Sequence, residues 1–95
     1  MPLFMLACFD KPNALDLRMA TREAHLAYVA AQPAGVVKLA GPMLDEDSRM
    51  AGSLFILDVG DRAAAEAFNA ADPYQTAGVF GRVEIRGFRA TIGSI

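Results

Sequence analysis

The chain has little of what several classes of site require. Its 95 residues include one cysteine, one histidine and no tryptophan, and its net charge at pH 7 is −2. The single cysteine, Cys8, excludes an internal disulfide and any metal cluster built only from cysteines. Zinc catalysis ordinarily takes more histidine or cysteine ligands than one of each. Without an excess of basic residues, a nucleic-acid or anionic-membrane surface is not expected either.

Long hydrophobic runs are also missing, since no stretch approaches the ~18 apolar residues of a membrane span. The apolar run at residues 3–9 is too short for a signal peptide, and no basic residue precedes it. We therefore expect a cytoplasmic protein. Hydrophobic residues make up 54% of the chain, which is too apolar for disorder. The length predicts one small domain, residues 1–95.

Hydrophobic patterning predicts six elements in the order βαββαβ. The strands are expected at residues 3–9, 36–44, 53–59 and 80–91, and the helices at 14–31 and 62–71. Asp61 is expected to cap the second helix. Gly41-Pro42 is expected to interrupt the second strand, and Gly87 to mark a bulge in the fourth. This order is that of the split βαβ, or ferredoxin-like, α+β fold with an antiparallel sheet.

The first and third strands form the middle of the sheet in this fold. Both are apolar on their two faces here, whereas two helices cover only one face of a sheet. The second face therefore needs another cover. A homodimer that packs sheet face to sheet face is the expected arrangement.

The first helix carries the only histidine, His25. An apolar stripe on this helix is expected to face the core, formed by Leu15, Met19, Leu26, Val29 and Ala30. His25 follows Arg18 and Arg22 at i, i+4 and i+7, which places the three along one border of that stripe. Two guanidinium groups and an imidazole suit an anionic or oxygen-rich small ligand. The alternative is a histidine packed at a helix edge beside two solvated arginines.

Asp72 is the second candidate, because it lies between a helix end and Pro73. Its simpler interpretation is a capping or turn aspartate. Gly41-Pro42 either ends a strand or forms a pocket wall, and Tyr74 either supplies a phenol to a pocket or lies at the surface.

The sequence lacks the motifs of several other classes of enzyme. The chain has no P-loop, no glycine-rich dinucleotide fingerprint and no nucleophile elbow, so no cofactor is expected. A covalent serine mechanism is poorly supported, since Ser48 and Ser53 are predicted in or beside a polar loop and Ser94 is near the terminus.

Three segments resemble the YciI-like (YCII-related) family. They are Arg-Met-Ala-Thr-Arg-Glu-Ala-His-Leu at residues 18–26, Leu-Ala-Gly-Pro-Met at 39–43, and Ala-Ala-Asp-Pro-Tyr at 70–74 with Ala-Gly-Val at 77–79. The resemblance implies a ferredoxin-like subunit of the dimeric α+β barrel group, with a pocket centred on His25 and Asp72. Most members of the family have no assigned reaction, and one branch is a dehydrochlorinase acting on a chlorinated hydroxyquinol.

The residues and the resemblance together indicate a small cofactor-independent enzyme, a lyase or isomerase, with His25 and Asp72 as an acid–base pair. Its expected substrate is a small oxygenated compound, cyclic or derived from a chlorinated aromatic, and no metal is expected. Two alternatives stay open. One is a non-catalytic module that binds a small metabolite in the same pocket, and the other is a cofactor-free oxygenase. The expected substrate-binding residues are Arg18, Arg22, Gly41, Pro42 and Tyr74.

Overall fold

Within residues 2–95, which the computed structural model describes, four strands form one antiparallel sheet in the order β2-β3-β1-β4. The fold is the predicted ferredoxin-like βαββαβ arrangement, with a short helix, α3, inserted before the last strand. None of the helices in this part of the chain is long and apolar enough to cross a bilayer. The elements are β1 Leu3–Asp10, α1 Leu15–Ala30, β2 Val37–Leu44, β3 Met50–Asp58, α2 Arg62–Ala71, α3 Pro73–Thr76 and β4 Phe80–Phe88.

The central strands β1 and β3 are buried on both faces, as their sequences predict. Leu6 and Phe55 belong to the core between the sheet and the helices. Their neighbours Ala7 and Ile56 point to the opposite face, because side chains alternate along a strand, and they are buried as well. Phe68 of α2 and residues of the α3 region complete the core.

The sheet face opposite the helices, called the open face below, carries the apolar side chains of Met5, Leu39, Leu54, Ile56 and Phe88 beside the charged side chains of Arg82, Glu84 and Arg86 on β4. Leu39 is 51% exposed and Phe88 42% exposed, while Met5 and Leu54 are half-buried. The C-terminal segment returns beside this face, where Ala90, Ile92 and Ile95 line a groove together with its side chains. The segment covers only part of the apolar surface.

Helix α1 turns only part of the predicted apolar stripe inward: Val29 packs against the core and Leu15 is half-buried. Its two buried residues are Arg18 and His25, whereas Met19 is 50% exposed and Leu26 46% exposed. The predicted orientation was wrong for these positions because partners distant in sequence hydrogen bond to Arg18 and to Nδ1 of His25, which offsets the cost of burying these groups.

Two glycine predictions were also wrong. Gly41 and Pro42 pair with Leu54 and Ser53 of β3, and β2 continues past them. A proline is tolerated there because β2 is an edge strand, so no second neighbour needs its missing N–H. The irregularity of β4 lies at Gly81, beside the register shift at Phe9 and Asp10, while Gly87 pairs regularly.

Two strand ends differ from the predicted bounds by three residues, the other strand ends agree to within one residue, and the predicted helix cap is present. β3 begins at Met50 rather than at residue 53, and β4 ends at Phe88 rather than at residue 91. The cap of α2 is confirmed, since the Asp61 side chain accepts a 2.9 Å hydrogen bond from the backbone N–H of Ala64.

Candidate active site

The imidazole of His25 and the carboxylate of Asp72 form a buried hydrogen bond. Nδ1 of His25 lies 2.8 Å from Oδ1 of Asp72. The same oxygen accepts a 2.9 Å hydrogen bond from the backbone N–H of Tyr74. A backbone N–H only donates, so Oδ1 is an acceptor there, and an ionised carboxylate also accepts from an Nδ1–H. This assignment leaves the lone pair of the neutral ring on Nε2, for which residues 2–95 provide no hydrogen-bond partner.

The chain fixes Asp72 at a junction between two helices. Its extended backbone follows the end of α2, and its side chain caps α3, whose first residue is Pro73. Proline restricts the residue before it to extended backbone and itself has no N–H to satisfy. Asp72 is fully buried, and its second oxygen, Oδ2, has no partner among the described residues.

Tyr74 forms a flat wall beside His25. Their ring centroids are 4.0 Å apart with 15° between the planes, and the guanidinium carbon of Arg18 lies 4.3 Å from the centroid of the Tyr74 ring. Burial raises the pKa of Tyr74, and the charges of Arg18 and Arg22 oppose that rise without cancelling it. The phenol is therefore neutral at physiological pH.

Arg18 is held by two partners on the sheet. Its Nε and one terminal nitrogen donate to the two carboxylate oxygens of Asp10 at 2.7 and 2.9 Å. That terminal nitrogen also donates to Oγ of Ser53 at 2.8 Å. Burial works to lower the pKa of Arg18, but hydrogen bonding and charge from Asp10 leave it raised. Arg18 is therefore a permanent cation whose charge is matched inside the protein.

These side chains meet at a cavity of about 200 Å³ between α1, β2 and β3. Asp72 lies behind His25 and does not reach the surface of the cavity. Exposed residues, Arg22 among them, form the mouth, whereas His25, Ser53, Phe55 and Tyr74 are buried. The lining residues are Arg18, Arg22, His25, Leu26, Val29, Ala40, Gly41, Pro42, Met50, Ser53, Phe55 and Tyr74.

The structure brings the residues predicted from the sequence to one place. His25 contacts Asp72 directly, and Arg18, Arg22 and Tyr74 line the cavity with Gly41 and Pro42. One expectation needs correction, because His25 lies on the buried face of α1 and not at its border. Arg18 is occupied by Asp10 and Ser53, so Arg22 is the cation that faces the mouth.

Sequence reasoning missed Ser53, Phe55 and Asp10. Ser53 was predicted at the edge of a polar loop, but it lies inside β3, is 3% exposed and borders the cavity. The available signal was the alternation along β3, which places Ser53 on the same face as Phe55. Asp10, which directly follows the strand predicted at residues 3–9, is not among the predicted site residues.

Residues 2–95 contain no group of three or more histidine, cysteine, aspartate or glutamate side chains arranged to hold an ion. The polar side chains that line the cavity are those of His25, Ser53, Tyr74 and the two arginines.

The fold and this cavity define a small ferredoxin-like α+β protein whose cavity has room for a small ligand. The chain belongs to the YCII-related domain family, whose model matches residues 2–89. It is 34% identical over 94 residues to the protein YciI of Escherichia coli O6:H1, an alignment covering 92% of this chain and 96% of the relative. An uncharacterised protein of Haemophilus influenzae is 32% identical over 93 residues, covering 90% and 95%.

Solved structures share the fold. The 5-chloro-2-hydroxyhydroquinone dehydrochlorinase TftG of Burkholderia phenoliruptrix, solved with 2,5-dihydroxybenzoquinone, superposes with a TM-score of 0.83 at 28% identity, covering 92% of this chain and 93% of TftG. An antibiotic biosynthesis monooxygenase superposes with a TM-score of 0.58 at 16% identity, covering 97% of this chain and 100% of that one. The second likeness shows the fold alone.

Proposed function

We propose that this protein is a cofactor-independent enzyme, a lyase or isomerase, in which His25 and Asp72 move a proton on a small oxygenated ring compound. The observation that carries the proposal is the 2.8 Å hydrogen bond between His25 Nδ1 and Asp72 Oδ1. A neutral His25 that donates from Nδ1 carries its lone pair on Nε2, and His25 lines the cavity. A histidine oriented in this way acts as a general base near neutral pH.

The chemistry follows from that arrangement. Nε2 takes a proton from the ligand, and the electron pair of the broken bond stays on the ligand as an enolate or phenolate. In an isomerisation the imidazolium returns the proton to another atom. In an elimination a leaving group, such as chloride, departs with its own bonding pair as the new double bond forms. The carboxylate of Asp72 stabilises the imidazolium meanwhile.

The size of the cavity limits the ligand. A void of roughly 150 Å³ holds a benzene molecule, so about 200 Å³ has room for one six-membered ring with a few substituents. Tyr74 and Phe55 supply aromatic surface for such a ring, and Arg22 favours one that carries negative oxygen. The likeness to TftG, a dehydrochlorinase solved with a dihydroxybenzoquinone, supports the same ligand class.

A substrate panel tests this proposal. Phenols, lactones and chlorinated hydroxyquinols are offered to the wild type, to His25→Ala and to Asp72→Asn, with Glu23→Gln on the exposed side of α1 as control. We expect turnover of at least one ring compound by the wild type and the control, with a loss of about 100-fold or more in both site variants. Binding without turnover across the panel contradicts catalysis and favours a non-catalytic metabolite-binding module.

We also infer that a second copy of this chain covers the open face. Leu39 and Phe88 expose large apolar side chains next to the half-buried Met5 and Leu54, and the C-terminal segment leaves much of this surface uncovered. A stable interface buries about 800 Å² per partner, an area on the scale of one face of a four-stranded sheet. A sheet-to-sheet homodimer meets that requirement without any new element.

A further inference from the structure

We propose that Ser53 is the residue that binds the oxygen of the ligand, by donating a hydrogen bond from its hydroxyl to a phenolate or enolate. This inference rests on the proposed function and deepens it. Asp10 and Arg18 act as positioning residues behind Ser53. Two chains of polar contacts then converge on the cavity: Asp72–His25, which moves the proton, and Asp10–Arg18–Ser53, which stabilises the charge left behind.

The direction of the hydrogen bond to Ser53 carries the argument. Arg18 cannot accept, so at the 2.8 Å contact its terminal nitrogen donates and Ser53 Oγ accepts. The hydroxyl hydrogen of Ser53 must therefore point elsewhere, and no acceptor for it exists among residues 2–95. Ser53 is 3% exposed and lines the cavity. A buried donor without a partner, facing a space for a ligand, is suited to bind an acceptor on that ligand.

The cation behind Ser53 makes the hydroxyl a better donor. A hydrogen bond accepted from a charged group polarises the O–H bond and strengthens the bond it donates onward. Asp10 accepts two hydrogen bonds from Arg18, and these hold the guanidinium in place behind Ser53. The carboxylate also offsets part of the positive charge that Arg18 brings to the cavity. The donor is thereby fixed before any ligand arrives, which is the arrangement that stabilises developing negative charge.

Tyr74 contacts a member of each of the two series of polar contacts. Its ring stacks on His25 at 4.0 Å and lies 4.3 Å from the guanidinium carbon of Arg18. The base and the group that positions the donor thus contact one aromatic ring. His25 and Ser53 both line this cavity, so we expect a ligand of one ring to contact both. The favoured substrates are accordingly ring compounds with a hydroxyl or carbonyl oxygen conjugated to the position that loses the proton.

Binding of 4-nitrophenol tests Ser53, because its ionised form absorbs visible light and reports its own protonation. For wild type we expect the bound probe to ionise at lower pH than the free probe. In Ser53→Ala, affinity for the phenolate should fall roughly tenfold or more, as expected for a hydrogen bond to a charged group. Affinity for nitrobenzene, which has no ring hydroxyl, should not change. Ser53→Thr, which keeps a hydroxyl, should restore both phenolate affinity and the ionisation shift.

The controls separate a binding role from a structural one. Ser94→Ala makes the same change in the exposed C-terminal segment and should behave as wild type. If Ser53→Ala does not fold, Ser53→Cys replaces it, since a thiol has similar size but donates weakly.

Two outcomes distinguish the claims. If Ser53→Ala or Ser53→Cys binds the phenolate with wild-type affinity and shows the wild-type ionisation shift, the proposed role of Ser53 is wrong. The His25–Asp72 proposal would still stand in that case. If wild type binds neither 4-nitrophenol nor nitrobenzene, the cavity does not take such rings and both proposals fail.

Discussion

The rings of His25 and Tyr74 stack at 4.0 Å, and both residues also hydrogen bond to the same oxygen of Asp72. The side chain of His25 and the backbone of Tyr74 are therefore tied to one acceptor. Since α1 supplies the histidine and the α2–α3 junction supplies the other two residues, this oxygen links the helices around the cavity. The orientation of the imidazole follows from the backbone of Pro73–Thr76 as much as from α1.

Two substitutions of Asp72 separate orientation from charge. In Asp72→Asn the backbone N–H of Tyr74 should hold the amide oxygen at the position of Oδ1, so His25 keeps its Nδ1–H tautomer while the negative charge is lost. In Asp72→Ala the acceptor disappears, and the neutral ring should shift toward Nε2–H. Nitrogen NMR of the single histidine measures the tautomer without assignment ambiguity. An Nε2–H tautomer in wild type contradicts the assignment of the lone pair to the cavity.

The Arg18–Asp10 ion pair should matter for stability far more than ion pairs at the surface. The two side chains are 2% and 6% exposed, so Asp10→Asn leaves a buried guanidinium without its counter-charge. We expect the free energy of unfolding in urea to fall by about 3–5 kcal/mol. Asp47→Asn makes the same change in the exposed Arg49–Asp47 pair, which has the same 2.7 Å separation. Its unfolding midpoint should match that of the wild type, and equal effects in the two variants would contradict the role of burial.

Cys8 should be unreactive in the folded protein. Burial, together with the negative charge of Asp72, raises the pKa of this thiol from 9.0 to about 12. Iodoacetamide at about pH 8 should therefore label the protein only after unfolding, because the thiolate is the reacting form. Rapid alkylation of the native chain would contradict this prediction.

The same shift makes stability depend on pH. The pKa of Cys8 is higher in the folded state than in the unfolded state. Its contribution to the free energy of unfolding is therefore complete below about pH 9 and is lost as the pH rises toward 12. Cys8→Ala should lose less stability over that interval than wild type. Tyr28 and Tyr74, whose pKa values are also raised mainly by burial, contribute equally to both proteins and cancel in the comparison.

The sequence predicts the fold more accurately than it predicts which face of helix α1 is buried. β1 and β3 are apolar on both faces, and that pattern alone identifies them as the central strands. Along α1, by contrast, hydrophobicity favours burying Met19 and Leu26, while the structure buries Arg18 and His25. Their partners lie 8 to 47 residues away in the chain, so no local pattern shows that these polar groups are satisfied. Ser53 was missed for a related reason, since its significance depends on the arginine that reaches it from α1.

A charge placed on the open face should prevent the proposed homodimer from forming. Leu54 lies on this face of β3 and is half-buried within one chain, so the proposed partner completes its burial. Leu54→Glu would place a carboxylate in the apolar interface, and light scattering at micromolar concentration should change from twice the chain mass of 10.1 kDa to the single mass. Leu17→Glu makes the same substitution at an exposed site of α1 and should leave the mass doubled. Circular dichroism establishes that both variants fold. A wild type that scatters as a monomer would contradict the interface, and it would leave the open face as apolar surface that the chain exposes to water.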